Sequence, residues 1–248
     1  MPAVTDSKYL VNAGWKDIPH LTEKMKDSVL DGILPYQKKA RSSGFPSLGS
    51  GAIYPVDEDD ITVKPFELPL WWPRIYALDV GWNRTAGIWG AWDKDSDIVY
   101  LYSEHYRGSA EPAIHAAGIK ARGEWIPGVV DPAARARGQR DGEQLLVDYR
   151  DLGLNLYPAI NAREAGLLSV WNRLSTGRLK VFSSLVAWFT EYRIYCRDEK
   201  GMVVKKNDHL MDATRYLIIS GLEHAIIKPV KKQRIISHDT IGSSIAGY

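Results

Sequence analysis

Apolar residues in this chain come in short unbroken runs, and several of those runs stop at an acidic residue. Residues 75–81 (IYALDVG) form one run of strand length whose only charge is Asp79. Runs of this kind, bounded by turn formers, predict buried strands. Residues 86–92 form a second run and residues 93–97 a polar turn. Residues 98–106 form a third run, rich in β-branched and aromatic side chains. The three predict an antiparallel meander. A helical pattern follows over 111–122, then an apolar run closed by Asp131 and Pro132. Beyond it the pattern predicts a helix over 141–152, a strand over 154–157 and a helix over 162–174. A strand over 179–182 and a helix over 185–195 follow. Asp198-Glu199-Lys200-Gly201 predicts a hairpin turn between residues 194–195 and 202–204. A last helix carries Asp208, His209 and Asp212. Three strands followed by alternating helices and strands predict a mixed α/β sheet with helices on its faces.

The ends differ from this body. Residues 19–30 predict a helix with Thr22 as N-cap, and residues 36–42 predict a second helical stretch. Residues 43–51, rich in Gly, Ser and Pro, predict a linker. The helices ahead of it hold too few apolar residues for a core of their own. They are expected to pack on the main body or on something outside the chain. The tail is basic from Lys228 and then polar. It reads as a solvated terminus or as an arm toward DNA or a partner. The expected division is 1–61, 62–227 and 228–248.

Composition narrows the function classes. The 248 residues are 45% hydrophobic and 25% charged, an ordinary folded profile. The net charge is only +2, so any nucleic-acid surface must be local. A single cysteine, Cys196, excludes an internal disulfide and a cysteine-based zinc site. No stretch is long and apolar enough to span a membrane, and the first residues lack the charged-then-apolar order of a secretory signal.

The chemistry lies in the acids. A carboxylate at the end of a buried strand is costly unless it is paired or binds a cation. Asp79 and Asp131 occupy such positions, although each could instead cap a turn, before Gly81 and Pro132 respectively. Asp208 and Asp212 are four apart and share a helix face, with His209 three residues before Asp212. Asp208 reads equally as an N-cap. Oxygen-only ligands suit Mg²⁺ or Mn²⁺. Two such ions roughly 4 Å apart are what a phosphodiester-cutting nuclease needs.

In order along the chain, several motifs together resemble a known family. They are Trp15-Lys16-Asp17-Ile18-Pro19-His20-Leu21, Gly49-Ser50-Gly51-Ala52-Ile53-Tyr54-Pro55 and Leu78-Asp79-Val80-Gly81-Trp82-Asn83. Asp131-Pro132-Ala133 and Asp208-His209-Leu210-Met211-Asp212-Ala213-Thr214-Arg215-Tyr216 complete the set. The chain resembles the nuclease portion of the large terminase subunit of tailed bacteriophages, which has the RNase H-like fold of RuvC-type resolvases. The resemblance implies a metal-binding triad of Asp79, Asp131 and Asp212, with Asp208 and His209 beside it to assist or replace a ligand. It implies an auxiliary β-hairpin at the turn around Asp198. It also implies an endonuclease that uses Mg²⁺ or Mn²⁺, two ions in all, to cut concatemeric double-stranded viral DNA during packaging. The expected partners are a packaging ATPase domain, a portal protein and a small terminase subunit. The expected location is the cytoplasm of the infected bacterium, at the procapsid portal. No Gly-x-x-x-x-Gly-Lys-Ser/Thr phosphate loop occurs. The chain is therefore expected to be the nuclease part, with residues 1–61 the end of the ATPase region plus linker.

Arg84 follows the Asp79 run, Arg135, Arg137 and Arg140 follow Asp131, and Lys205 and Lys206 precede Asp208. All flank the acids and are expected to contact phosphates; singly, each could be an ordinary solubilising charge. Two other readings stay open. One is a Holliday-junction resolvase of the same fold. The other is a non-catalytic module docking on DNA or a portal.

Overall fold

The computed structural model describes Val4–Thr5, Lys8–Tyr9, Trp15, His20 and residues 22–30, 51–131, 141–198 and 201–229. The predicted helix over 36–42, most of the predicted linker, Arg135, Arg137, Arg140 and most of the basic tail lie outside the described residues. Near the start, β1 (Val4–Thr5) pairs antiparallel with β2 (Lys8–Tyr9). The helix α1 (Glu23–Leu30) begins where Thr22 Oγ1 accepts from the Met25 N–H at 3.4 Å. Met25 and Val29 stay exposed on it, as its few apolar residues lead one to expect.

The body is a seven-stranded mixed sheet. Its strands are β3 (Thr62–Val63), β4 (Arg74–Asp79), β5 (Thr85–Asp93), β6 (Ile98–Arg107), β7 (Gly128–Val130), β8 (Leu156–Pro158) and β9 (Leu179–Phe182). Across the sheet they run β3-β9-β6-β5-β4-β7-β8. β4, β5 and β6 form the antiparallel meander, and β7, β8, β9 and β3 join in parallel. The helices are α2 (Glu58–Ile61), α3 (Pro112–Lys120), α4 (Asp141–Asp151), α5 (Arg163–Ser175), α6 (Val186–Ile194) and α7 (His209–Tyr216). After α7 the chain widens into a π-helical turn at Leu217–Gly221 and closes with a 3-10 turn at Leu222–His224.

Strand alternation sorts the core into two sides. Ile75 and Ala77 of β4 join Leu167 and Val170 of α5, Trp188 of α6 and Leu210 and Met211 of α7. Tyr76 and Leu78 face the opposite way, against Ala116 and Ile119 of α3 and Leu146 and Tyr149 of α4. The same parity in β7 gives Val129 to the first side and Val130 to the second. A central strand buried on both faces reads as an unbroken apolar run, which is how β4 looks in the sequence.

Two expectations change. β8 spans Leu156–Pro158, later than predicted over 154–157, because Leu154 serves the loop after α4, its N–H donating to the Tyr149 carbonyl. The first arm of the hairpin is also later, while the second falls within 202–204 as expected. Ile194 is still helical, and the pairing is an antiparallel bridge of Arg197 with Val203, backed by the Asp198 N–H donating to the Met202 carbonyl. Tyr54 and Ile61, ahead of the expected boundary at 62, pack into the first core side.

Candidate active site

The acids are brought together by register. β4 and β7 run parallel with Leu78 beside Val130. The next residue on each is Asp79 and Asp131, and the Asp131 N–H donates to the Leu78 carbonyl at 3.2 Å. The two acids therefore leave the carboxyl ends of adjacent parallel strands, the edge at which open α/β sheets bind ligands. By alternation, Asp79 shares the side of Ile75 and Ala77, and Asp131 shares the side of Val129. That is the side covered by α7.

There His209, the first residue of α7, meets β4: its Nδ1 lies 2.7 Å from Asp79 Oδ2. Asp212, one turn along, has Oδ1 accepting from Arg215 Nε at 3.2 Å and Nη2 at 3.1 Å, and Oδ2 lies 3.8 Å from Arg163 Nη2. Burial raises the Tyr216 phenol, and the nearby Asp131 charge adds to the shift. Asp208 stands at the N-cap of α7 without capping it by its side chain.

The charges sense one another. Burial raises the Asp79 carboxyl above its ordinary range, the His209 contact pulls it back, and the charges of Asp212 and Asp131 push it up again. Burial also raises Asp208, with Asp212 and then Asp79 adding to the shift. His209 is raised chiefly by its hydrogen bond to Asp79. Like charges gathered in a half-buried cleft produce this pattern, and a cation relieves it.

Among the described residues, no three acidic, histidine or cysteine side chains already close around one point as a metal cage. The donors nonetheless fit a hard divalent cation: four carboxylates, two of them destabilised as anions, with no thiolate among them. Asp79 and Asp212 lean on protein partners, namely His209, Arg215 and Arg163. Binding a cation would exchange some of those contacts for metal–oxygen bonds.

The structure brings Asp79, Asp131, Asp208, His209 and Asp212 to one edge of the sheet. Of the basic candidates, Arg84 leaves the loop after Asp79 and lays its guanidinium over the Tyr106 ring, 4.4 Å from the centroid. Lys205 and Lys206 are exposed just ahead of Asp208.

This arrangement has relatives. The profile of the terminase RNase H-like domain matches residues 77–220, more than half of the chain and the span from β4 into the π-helical turn after α7. The chain belongs to this family. The large terminase subunits of Enterobacteria phage LP7 and Salmonella phage P22 are each 34% identical over 221 residues, 85% of this chain. The chain spans less than half of those relatives, 46% and 44% of their lengths. The solved nuclease domain of the P22 large terminase superposes with a TM-score of 0.68 at 33% identity, covering 72% of this chain and 96% of that one. The large terminase of the thermophilic bacteriophage D6E shares the fold, with a TM-score of 0.60 at 21% identity over 84% of this chain and 55% of that one.

Within this family frame, sequence reasoning missed the groups that hold the acids. Arg163 and Arg215 lie in helices, and only packing reveals what they touch. Arg215 is fully buried, and a charge that never titrates has to find a counter-ion there. Its spacing of three from Asp212 was the available signal. Trp82, exposed three residues past Asp79, is a large apolar side chain on the rim.

Proposed function

We propose that this chain is the metal-dependent endonuclease part of a large terminase, cutting concatemeric double-stranded viral DNA during genome packaging. One observation carries the reading. Asp79, Asp131, Asp208 and Asp212 come from two strands and a helix far apart in sequence, yet meet at one sheet edge where two of them resist ionisation.

Asp79, Asp131 and Asp212 would hold Mg²⁺ or Mn²⁺, two ions in the full reading, with Asp208 beside them. Such ions, when bound, polarise the scissile phosphate and make an attacking water acidic near neutral pH. The chain's own groups do the rest. Arg215 and Arg163 fix the rotamer of Asp212. His209 orients Asp79. Arg84, Lys205 and Lys206, with Arg135, Arg137 and Arg140, contact phosphates without reading bases, which suits cutting at arbitrary sequence. Hydrolysis by water would leave 3′-hydroxyl and 5′-phosphate ends.

The partners would be double-stranded DNA, a packaging ATPase domain, a portal protein and a small terminase subunit. The place of action would be the cytoplasm of the infected bacterium, at the portal. Residues 1–61 would then be the end of the ATPase region plus linker, and 228–248 a basic arm. Among the described residues no helix is long and apolar enough to cross a membrane.

Plasmid digestion with Mg²⁺, Mn²⁺ or chelator tests the reading. Cleavage is expected only with metal. Asp79→Asn, Asp131→Asn and Asp212→Asn should each lower it by more than about 100-fold, beyond the range typical of outer partners, and Asp208→Asn by about tenfold. The amide is nearly isosteric, so folding should survive. Undiminished cutting in chelator sinks the reading, and a larger loss in Asp208→Asn than in Asp212→Asn exchanges their roles.

A further inference from the structure

Asp208 occupies the N-cap of α7, the position from which an aspartate normally accepts the N–H groups of the second and third helical residues. It does not do so. Those two groups, on Leu210 and Met211, donate instead to Glu191 Oε2, at 2.6 and 3.4 Å. Glu191 belongs to α6 and is 1% exposed. Its other oxygen accepts from the Tyr106 hydroxyl at 2.6 Å, and the Tyr106 ring carries the Arg84 guanidinium. A helix is thus capped by a buried carboxylate from a different helix.

The geometry points to Glu191 as the positioning residue of the metal site: by capping α7 in place of Asp208, it frees the Asp208 carboxylate to join Asp79 and Asp212 in holding the cation. The role rests on the nuclease reading proposed above. Three features support it. Asp208 is buried, and its side chain makes no capping bond to α7, whose Leu210 and Met211 N–H groups Glu191 holds instead. Were Asp208 to cap its own helix, its oxygens would be turned toward Leu210 and Met211 and away from the acids. In addition, α6 and β6 share the anchor, because Glu104 of β6 accepts from the Ala187 and Trp188 N–H groups at 3.0 and 2.9 Å. The first turn of α6 is therefore fixed to the sheet, and through Glu191 so is the start of α7. Finally, the Glu191 oxygen that does not cap α7 is itself held by the Tyr106 hydroxyl of β6, which fixes the cap in place.

The test uses the full chain with Glu191→Ala, Glu191→Gln and a stability control, Ile61→Ala, which opens the core at the far edge of the sheet. In Glu191→Ala the Leu210 and Met211 amides should exchange faster with solvent than in Ile61→Ala. Mn²⁺ affinity, titrated with the metal alone, and kcat should each fall by up to about tenfold, no more than in Asp208→Asn, as when groups that support metal ligands are removed. KM for plasmid DNA should move little. In Glu191→Gln the amide oxygen still accepts from Leu210 and the amide nitrogen faces Tyr106. Affinity and kcat should then stay within about threefold of wild type, since a cap is retained. Unchanged Mn²⁺ affinity in Glu191→Ala, or an equal fall in Ile61→Ala, overturns the role. So does a Glu191→Gln as inactive as Glu191→Ala, which would make Glu191 a ligand. A wild type that binds Mn²⁺ but cuts nothing defeats the nuclease reading alone, and the affinity ratios still decide the role. A wild type that binds no Mn²⁺ defeats both.

Discussion

The contact between Asp79 and His209 sets the behaviour of the metal-free site with pH. Burial lifts Asp79 above its ordinary 3.8. The hydrogen bond to Asp79 lifts His209 above its ordinary 6.5. A group whose folded pKa lies above its unfolded one binds its proton more tightly in the fold. His209 thus contributes stability that is complete below 6.5 and is lost as pH rises through its raised value. Asp79 contributes in the same sense lower down: ionising it above its ordinary range costs stability. Metal needs the carboxylate free, so its affinity should grow over the interval in which the His209 proton leaves. In chelator, the melting temperature of wild type minus that of His209→Gln should be largest at about pH 6 and shrink by about pH 9. A flat difference across that range would show that the pair holds no proton of consequence. How far these residues were legible follows from the same physics. Asp79 and Asp131 announce themselves because an acid is out of place in an apolar run. Glu191 does not, because a glutamate between Thr190 and Tyr192 in a helix reads as a solvated residue. Only the packing of α6 on α7 turns it inward.

At the scale of elements, the meander and its flanking helices were legible because β4, β5 and β6 are long runs with clear turns. β3, of two residues, carried no readable period. The short arms around Asp198 took their register from Cys196 bridging Ala52, a pairing between distant parts of the chain that no local pattern encodes. The packing of α5 on α7 gives a sharper test. A Cβ on Gly166 would lie 2.5 Å from Cγ and 2.8 Å from Cδ of Arg215. Arg215 is fully buried and tied to Asp212, so its stem has no free direction in which to move. Gly166→Ala should therefore destabilise the fold by about 1–3 kcal/mol, the usual cost of overpacking. It should also lower nuclease activity beyond what that destabilisation explains, because Asp212 moves with its arginine. Chemical denaturation and plasmid digestion run together check this. A variant with wild-type stability and activity would mean that the two helices slide freely.

The whole molecule is nearly neutral, at +2, so on the proposed reading its grip on DNA would depend on where its cations stand rather than on how many there are. Lys205 and Lys206 are exposed just ahead of Asp208 in the chain, and on the proposed reading a phosphate backbone would pass them on its way to Asp79 and Asp212. The acids would repel that backbone at long range, and a cation bound among them would reverse the local sign. Binding should therefore be weak without metal, stronger with it, and steeply salt-dependent. Each phosphate neutralised by the protein adds roughly 0.9 to the slope of log affinity against log salt. Lys205→Glu with Lys206→Glu should weaken binding to unrelated duplexes equally and flatten the slope by about 1 for each phosphate no longer neutralised. Ca²⁺, a hard divalent ion that should occupy the acids without supporting rapid cutting, allows affinity to be measured on intact duplex. Weakening confined to one duplex sequence would mean that these lysines read bases. A wild type that binds one short sequence tightly and indifferently to salt, or cuts only four-way junctions, would replace the packaging role with that of a resolvase on the same sheet.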